Sequence, residues 1–416
     1  MRRALFRLSL VSALIVSFAR SSPAAGPVGT PAFRLATCAT CTESNPQIAG
    51  APSGKLVTAF DLKPFSAQLT PYVQGRLFPG PGAGRTPFRP QTNPLPAQYD
   101  AAVAANAAGA FVIAWSTTDP LTRNSDIWAQ RYDAANLKKG ATIPVNLDVP
   151  GVRVLDTVPT VAMGSDGGFT VAWLRIVPPG EANPTGYQVW ARRYAATGVP
   201  LGPPVQVSTG LVEGNRPSAC IDTAGRSVIA WSTDADTDPF LPIKKGVSMR
   251  RMTPKGVPMA SVAVVALPKS SETHPAVSCG LAGTFVVAWE TDQPPATGVL
   301  NVVAQRYSTA AARVGTVFVA SAKDESQRTP AIAHDAGGNF VIVWQEVFSP
   351  TTGIYGQRFS ATATKLGDPF TVALAESSIA PLTAPDVTAA GAANAFAVAW
   401  KNPKVGLLGR RFKIVP

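Results

Sequence analysis

A seven-residue stretch recurs seven times along the chain, and its period constrains the fold more than any other feature. It reads GKLVTAF at Gly54–Phe60, GAFVIAW at Gly109–Trp115, GGFTVAW at Gly167–Trp173 and GRSVIAW at Gly225–Trp231. It continues as GTFVVAW at Gly283–Trp289, GNFVIVW at Gly338–Trp344 and NAFAVAW at Asn394–Trp400. The closing aromatics, Phe60, Trp115, Trp173, Trp231, Trp289, Trp344 and Trp400, follow one another at a near-constant interval. Such a period means that one supersecondary unit is repeated and stacked.

Each copy sits in a longer unit. A Pro stands at one fixed offset before the aromatic in five copies, at Pro46, Pro159, Pro217, Pro275 and Pro330. A short apolar run follows, then a turn of small residues. The first motif position is Gly in six copies and Asn394 in the seventh, the residue types that best tolerate positive φ, so a hairpin turn is expected there. The run rich in Val, Ile and Phe after it reads as a strand. A loop of variable length leads to a third strand ending in Arg and an aromatic or Met: Arg76, Arg131, Arg193, Arg251, Arg306, Arg358 and Arg411 mark it. A fourth short strand, such as ATIPV or DPFTV, closes the unit.

Four antiparallel strands per unit and seven units predict an all-β, seven-bladed β-propeller. A lone blade leaves both faces open, and stacking in a ring covers them, which explains strands apolar on both sides. A parallel β-helix would need much shorter repeats. The blades are expected at about 45–93, 98–147, 158–209, 216–266, 274–321, 329–373 and 385–416. The last unit stops at GRRFKIVP without a fourth strand, while PAFRLAT at Pro31–Thr37 matches one. Phe33–Thr37 is therefore expected to complete the seventh blade and cover its edge.

The chain opens with MRRALFRLSLVSALIVSFARSSPAAG. Arg2, Arg3 and Arg7 precede an apolar stretch, Leu8–Ala19, too short to span a bilayer comfortably, so residues 1–25 read as a secretory signal peptide and the protein as secreted or periplasmic. No transmembrane segment is expected. The formal net charge is +12. Without Arg2, Arg3, Arg7 and Arg20 it falls to +8, and the seven repeated arginines account for most of that excess. Nucleic acid is therefore discounted as a partner, despite the basic balance. Four cysteines fit an oxidising compartment. Cys38 and Cys41 are expected to form a local disulfide, since a zinc site would need a second CxxC pair. Cys220 and Cys279 stand at slightly unequal offsets from Trp231 and Trp289, and they bridge only if neighbouring first strands approach closely.

In an up-and-down blade the 1–2 and 3–4 turns share one face of the ring, and the 2–3 loops and interblade links share the other. The 1–2 turns here are short and uniform. The stretch from aromatic to repeated Arg varies, being longest at Trp173–Arg193 and Trp231–Arg251 and shortest at Trp400–Arg411. Variable loops on a rigid scaffold are where binding concentrates, so the long-loop face is the expected working face. The residues just after the aromatics would ring it: Asp61, Ser116, Leu174, Ser232, Glu290, Gln345 and Lys401. Asp61, Ser116, Ser232, Glu290, Gln345 and Lys401 are the polar binding candidates, against the alternative that they are ordinary solvated loop residues. The repeated Trp reads as core rather than a sugar platform, and the repeated Arg as an interblade tie. Trp128 and Trp190, off this register, are freer to stack on a ligand. Asp234, Asp236 and Asp238 alternate as in a calcium loop, but Pro239 and Lys245 stand where Gly and a bidentate Glu belong. His274 and His334 occupy different positions in their units. No catalytic triad, zinc motif, P-loop or GxGxxG is present, so no catalytic residue, metal or cofactor is assigned.

The unit at Pro330–Val372, PAIAHDAGGNFVIVWQ…GIYGQRFSATATKLGDPFTV, resembles repeats of bacterial secreted proteins that also occur in large repeat-in-toxin adhesins. The resemblance covers roughly residues 31–416. It implies a β-propeller scaffold and no catalytic residues. This chain lacks the calcium-binding nonapeptides that accompany many of those repeats, so an adhesin role is analogy only. The leading expectation is a monomeric, non-catalytic module that binds a glycan or a cell-envelope protein through the long-loop face. The alternative is a glycan-active hydrolase or lyase with carboxylates at the channel mouth. A structural envelope protein is a third reading.

Overall fold

The structure is a computed structural model describing residues 26–36, 38–92, 96–146, 155–177, 186–210, 212–234, 245–265, 271–292, 299–320, 326–347, 352–376, 381–391 and 394–414. The expected signal peptide, Thr37, Asp236 and Asp238 lie outside these residues.

The chain is a seven-bladed β-propeller, with no α-helix among the described residues. Blade 5 shows the plan: Glu272–Cys279 lies innermost, followed outward by Phe285–Thr291, Asn301–Tyr307 and Arg313–Val319, each antiparallel to the last. The other innermost strands are Cys41–Gly50, Ala97–Ala105, Asp156–Met163, Ser218–Ile221, Ser326–His334 and Thr383–Ala389. In blade 1 the fourth element is a single bridge, Gly75 to Phe88. In blade 7 the outer edge of Gly406–Ile414 pairs with two N-terminal pieces, Pro27–Gly29 and Phe33–Arg34.

The first motif position has the backbone expected of it. Gly54, Gly109, Gly167, Gly225, Gly283, Gly338 and Asn394 have φ of 81, 81, 85, 76, 74, 84 and 72°. In blade 1, Gly54 N donates to Ala51 O, and Ala51 N then donates to Lys55 O. The turn is thus closed back onto Ala51 and ends in a left-handed residue, a geometry that suits the twist of the following strand.

Stacking rests on the repeated aromatic, which leaves its own blade and packs into the preceding one. Trp289 lies against Val228, Ala230, Val247 and Met249 of blade 4. Trp344 meets Val286, Ala288, Val302 and Ala304 of blade 5. At the junction of blades 7 and 1, Phe60 meets Ala397, Ala399 and Leu407, with Leu35 and Ala36 of the N-terminal segment beside it. Small residues at the contact are what admit the large rings, all of which are buried. A second aromatic layer forms within blades, where Phe285 stacks on Tyr307 at 5.0 Å and Phe111 on Tyr132 at 4.7 Å.

Four of the repeated arginines, Arg131, Arg251, Arg306 and Arg411, reach a carbonyl of the next blade. Arg131 Nη1 donates to Ala196 O, Arg251 Nη1 to Thr309 O and Arg306 Nη1 to Thr362 O, each a 3–4 turn carbonyl of the next blade. Arg411 reaches from blade 7 to Gly54 O and Gly80 O in blade 1.

Both disulfides are formed, Cys38–Cys41 and Cys220–Cys279. The unequal offsets of the second pair have a geometric reason. Cys220 lies opposite Val228 and Cys279 opposite Phe285, so adjacent innermost strands meet one residue out of step. The same slot holds a hydrogen bond at two other joints: His334 N donates to Ser278 Oγ, and Gly50 N to Thr388 Oγ1.

Two outcomes are expected from this packing. Trp289→Ala removes a whole ring from the joint between blades 4 and 5, and should cost about 3–5 kcal/mol in urea melts. The Cys220→Ser, Cys279→Ser double variant reopens a span of 59 residues, and should cost about 4 kcal/mol on a chain-entropy basis. The short Cys38–Cys41 bridge should cost about half as much on the same basis.

Candidate functional site: the channel mouth on the long-loop face

The seven innermost strands enclose a central channel with a cavity of about 510 Å³. At the end near the 1–2 turns its wall includes Met163, Ile221 and Ala389, together with Cys279. At the long-loop end its wall includes Asn45, Arg216, His274, Thr329 and Asp386.

An innermost strand pairs on one side only, so the donors on its other edge need partners. Six of the seven strands resolve this with a bulge beside the Pro position. The pairing slips between Ser44 and Gln47, and likewise at Tyr99/Ala102, Thr157/Thr160, Thr273/Ala276, Arg328/Ala331 and Thr383/Asp386. At each slip one non-glycine residue takes positive φ: Asn45, Asp100, Val158, His274, Thr329 and Ala384, at 48–57°. For β-branched Val158 and Thr329 this conformation is strained and needs support from the surroundings.

The support comes from the post-aromatic residues. Asp61 accepts from Asp100 N at 3.0 Å and Ala101 N at 2.9 Å in the next blade, and from Asn45 Nδ2 in its own. Ala101 stands where the six other blades have Pro, so its amide is an extra donor, and Asp61 satisfies it. Ser232 Oγ accepts from His274 N, and Glu290 from Thr329 N. Ser116 acts through its own blade: it donates to Asp100 Oδ2, which accepts from Val158 N and Thr157 Oγ1 in blade 3. Leu174 has no acceptor to offer, and the strand it should support, in blade 4, has no positive-φ residue and only four residues, Ser218–Ile221.

The post-aromatic ring therefore lies inside the joints rather than open on the face. Asp61, Ser116, Leu174, Ser232, Glu290 and Gln345 are all buried, and Lys401 is half-buried. The polar atoms of Asp61, Ser232 and Glu290 serve the backbone of the next blade. Asp234 begins the span whose Asp236 and Asp238 are not described, so the calcium-loop candidate stays outside the structure. Trp190 is half-buried beneath Arg175, whose guanidinium stands 4.2 Å from the ring centroid while gripping Asp156 with two bonds of 2.7 Å. Trp128 is also half-buried, packed on the joint between blades 1 and 2.

The residues that do line the mouth were not singled out by sequence, apart from His274. Arg216 occupies the bulge position of the bulge-free blade. Its Nη1 reaches back to Pro159 O in blade 3 and, at 3.2 Å, to Ala101 O in blade 2. It is also within electrostatic range of Asp61 and Asp386. His274 Nδ1 lies 3.2 Å from Glu290 Oε1 and 3.0 Å from Thr273 Oγ1. Asp386 accepts from Val387 N and, across the joint, from Ile48 N at 2.8 Å.

Burial sets the electrostatics. It pushes Asp61 up to about 6, aided by the Asp100 charge and opposed by its backbone donors, Asn45 and Arg216. It likewise pushes Asp386 up to about 6 against Ile48 N, Val387 N and Arg216. For Glu290 burial is outweighed by the bonds from His274, Thr329 N and Thr273, which hold it below the ordinary carboxylate value. His334, at the other end of the channel and bonded to Ser278 Oγ at 2.9 Å, is pushed down to about 4 by burial and by the Arg306 charge. Among the described residues no group of three or more His, Cys, Asp or Glu is placed to hold a metal, and no helix is long and apolar enough to cross a membrane.

No family model and no curated protein matches the chain. Solved structures do match its fold. A protein of unknown function from Dyadobacter fermentans aligns over 94% of this chain and 100% of its own, with TM-score 0.58 and 12% identity. The β-propeller domain of the trilobed protease from Pyrococcus furiosus aligns over 92% and 97%, with TM-score 0.52 and 8% identity. The α-L-arabinanase of Penicillium chrysogenum, solved with arabinobiose, aligns over 93% and 99%, with TM-score 0.50 and 12% identity. At these identities the likeness is one of fold.

The pKa of Asp61 carries a sign that can be checked. Raised from 3.8 to about 6 in the folded state, its contribution to stability is fully present below 3.8 and is lost as pH rises through about 6. The stability of the wild type relative to Asp61→Asn should therefore fall between about pH 4 and pH 7, by up to about 3 kcal/mol, in paired urea melts.

Proposed function

We propose that this protein is an exported, non-catalytic recognition module that binds glycan at the channel mouth on its long-loop face. The observation that carries the reading is how the mouth carboxylates are used. Asp61 and Glu290 are buried and bonded to backbone amides of the next blade, and Asp100 is bonded to Val158 N. A glycosidase needs two carboxyl groups free to act on either side of one bond. Among the described residues lining the cavity, Asp386 is the one carboxylate. The concave, preformed wall of polar and small apolar side chains suits a bound sugar, and the cavity falls in the usual size range of ligand sites. The resemblance of the repeats to those of bacterial secreted proteins, and the leader-like N-terminus, agree with export.

A second reading, a glycan hydrolase, has one observation in its favour. Asp386, pushed up to about 6 and lining the lumen, would hold a proton in mildly acid solution as a general acid must. The fold is also that of the Penicillium arabinanase solved with arabinobiose.

A panel of arabinan, xylan, β-glucan, galactan and polygalacturonate, assayed by affinity electrophoresis with chromatography of the recovered sugar, separates the two. Saturable retardation without released fragments is expected. Fragments that disappear in Asp386→Asn would replace the module by the hydrolase. No retardation by any polymer would remove the glycan and direct attention to an envelope protein.

A further inference from the structure

We propose that the channel takes the terminal unit of a glycan end-on, and that it accepts an uncharged unit while rejecting a carboxylated one. This rests on the reading that the mouth binds glycan, and adds the class of sugar and the direction of entry.

Direction follows from the wall. The cavity is bounded by side chains from all seven blades, among them Asn45, Val103, Thr160, Arg216, His274, Thr329 and Asp386. A site closed on every side admits the end of a chain, whereas the middle of one would need a cleft open at two sides. Depth adds selectivity. Arg216 and Asp386 stand at the entrance, and Met163, Ile221 and Ala389 lie toward the far end beside Ser278, Thr388 and His334, where the C–H faces of a ring would be received.

The class of sugar follows from charge pairing. Among the described residues that line the cavity, Arg216 is the arginine, and it lies within electrostatic range of Asp61 and of Asp386 on the same wall. His274 is held against Glu290. A carboxylated sugar would thus find Arg216 already faced by carboxylates, and at neutral pH Asp386 would repel it from the lumen wall. A cationic sugar would meet Arg216. A hydroxyl carries no charge and both donates and accepts, and the entrance offers both functions. Arg216 spends Nη1 on Ala101 O and Pro159 O, which leaves Nε and Nη2 to donate. Asp386 accepts one backbone bond on each oxygen, which leaves each a further lone pair. Asn45 commits its Nδ2 to Asp61, which leaves its carbonyl oxygen to accept.

The test uses the full chain with arabinotriose, xylotriose, cellotriose, galactotriose and trigalacturonate, by calorimetry and saturation-transfer NMR, alongside the polymer panel. At least one neutral trisaccharide should bind, with transfer strongest at one terminal ring, and trigalacturonate should bind about tenfold more weakly or not at all. Asp386→Asn should narrow that difference by admitting the acid, and Asn45→Ala should weaken the neutral sugar without changing the ratio of ring intensities. A purely structural role for Asp386 would leave the neutral-to-acid ratio unmoved and overturn the charge argument. Trigalacturonate bound as tightly as the neutral sugars would do the same. Transfer centred on the middle ring, or polymers bound while every trisaccharide fails, would overturn end-on entry and leave the glycan reading standing. Failure of polymers and trisaccharides alike would overturn both.

Discussion

The innermost strand of each blade is an edge. It has a hydrogen-bonding partner on its outer side and the channel or the neighbouring blade on the other, and its unpaired amides must be met by something. The solution here is side chains from the adjacent blade. Asp61, Ser232 and Glu290 receive amides at the bulges, and Asp386, Ser218 and Ser278 receive them deeper in the strands. These bonds complement the tryptophan stacking, which is apolar and sets the distance between blades without fixing their register. The carboxylates that look most like chemistry are therefore the ones the architecture can least spare.

That constraint also explains how a near-symmetric repeat acquires one distinctive place. Six strands bulge; the one after Leu174 does not. In the others the Pro position is preceded by a residue turned to positive φ. In blade 4 that residue is Arg216, whose long side chain instead reaches back over two blades to Pro159 O and Ala101 O. One apolar residue in a polar slot thus coincides with the loss of a bulge, the shortening of a strand and a guanidinium placed at the mouth. The functional asymmetry of the ring begins there, more than in any difference among the buried aromatics.

The fold was legible because its determinants are local or periodic. The glycine turn, the apolar strand and the buried aromatic recur at near-fixed spacing, the arginine recurs in every unit, and the first three appear in the structure with the role their chemistry suggests, as do Arg131, Arg251, Arg306 and Arg411. The fate of the post-aromatic residues was harder to read. Their polarity and diversity resemble those of a binding rim, and their partners are amides of another blade, far off in sequence, as Asp61 with Ala101 and Glu290 with Thr329. A bulge leaves little trace in sequence. The Pro that recurs at a fixed offset before the aromatic was its one visible mark, and Ala101 in its place was the hint that Asp61 had a donor to satisfy. Asp386 and Arg216 gave no periodic signal at all, since each departs from its six counterparts.

Function in such a ring is then confined by subtraction. Amides of the innermost strands claim most polar groups near the axis, and the tryptophans claim the faces between blades. What remains for a ligand at the axis, among the described residues, includes the open donors of Arg216, the remaining lone pairs of Asp386 and the carbonyl of Asn45. Because Arg216 already lies within range of two carboxylates, the leftover field at the mouth is a pattern of hydrogen-bond directions rather than a charge. A surface of that kind recognises hydroxyl groups by geometry, and a net positive protein can in this way hold a binding site that does not attract anions.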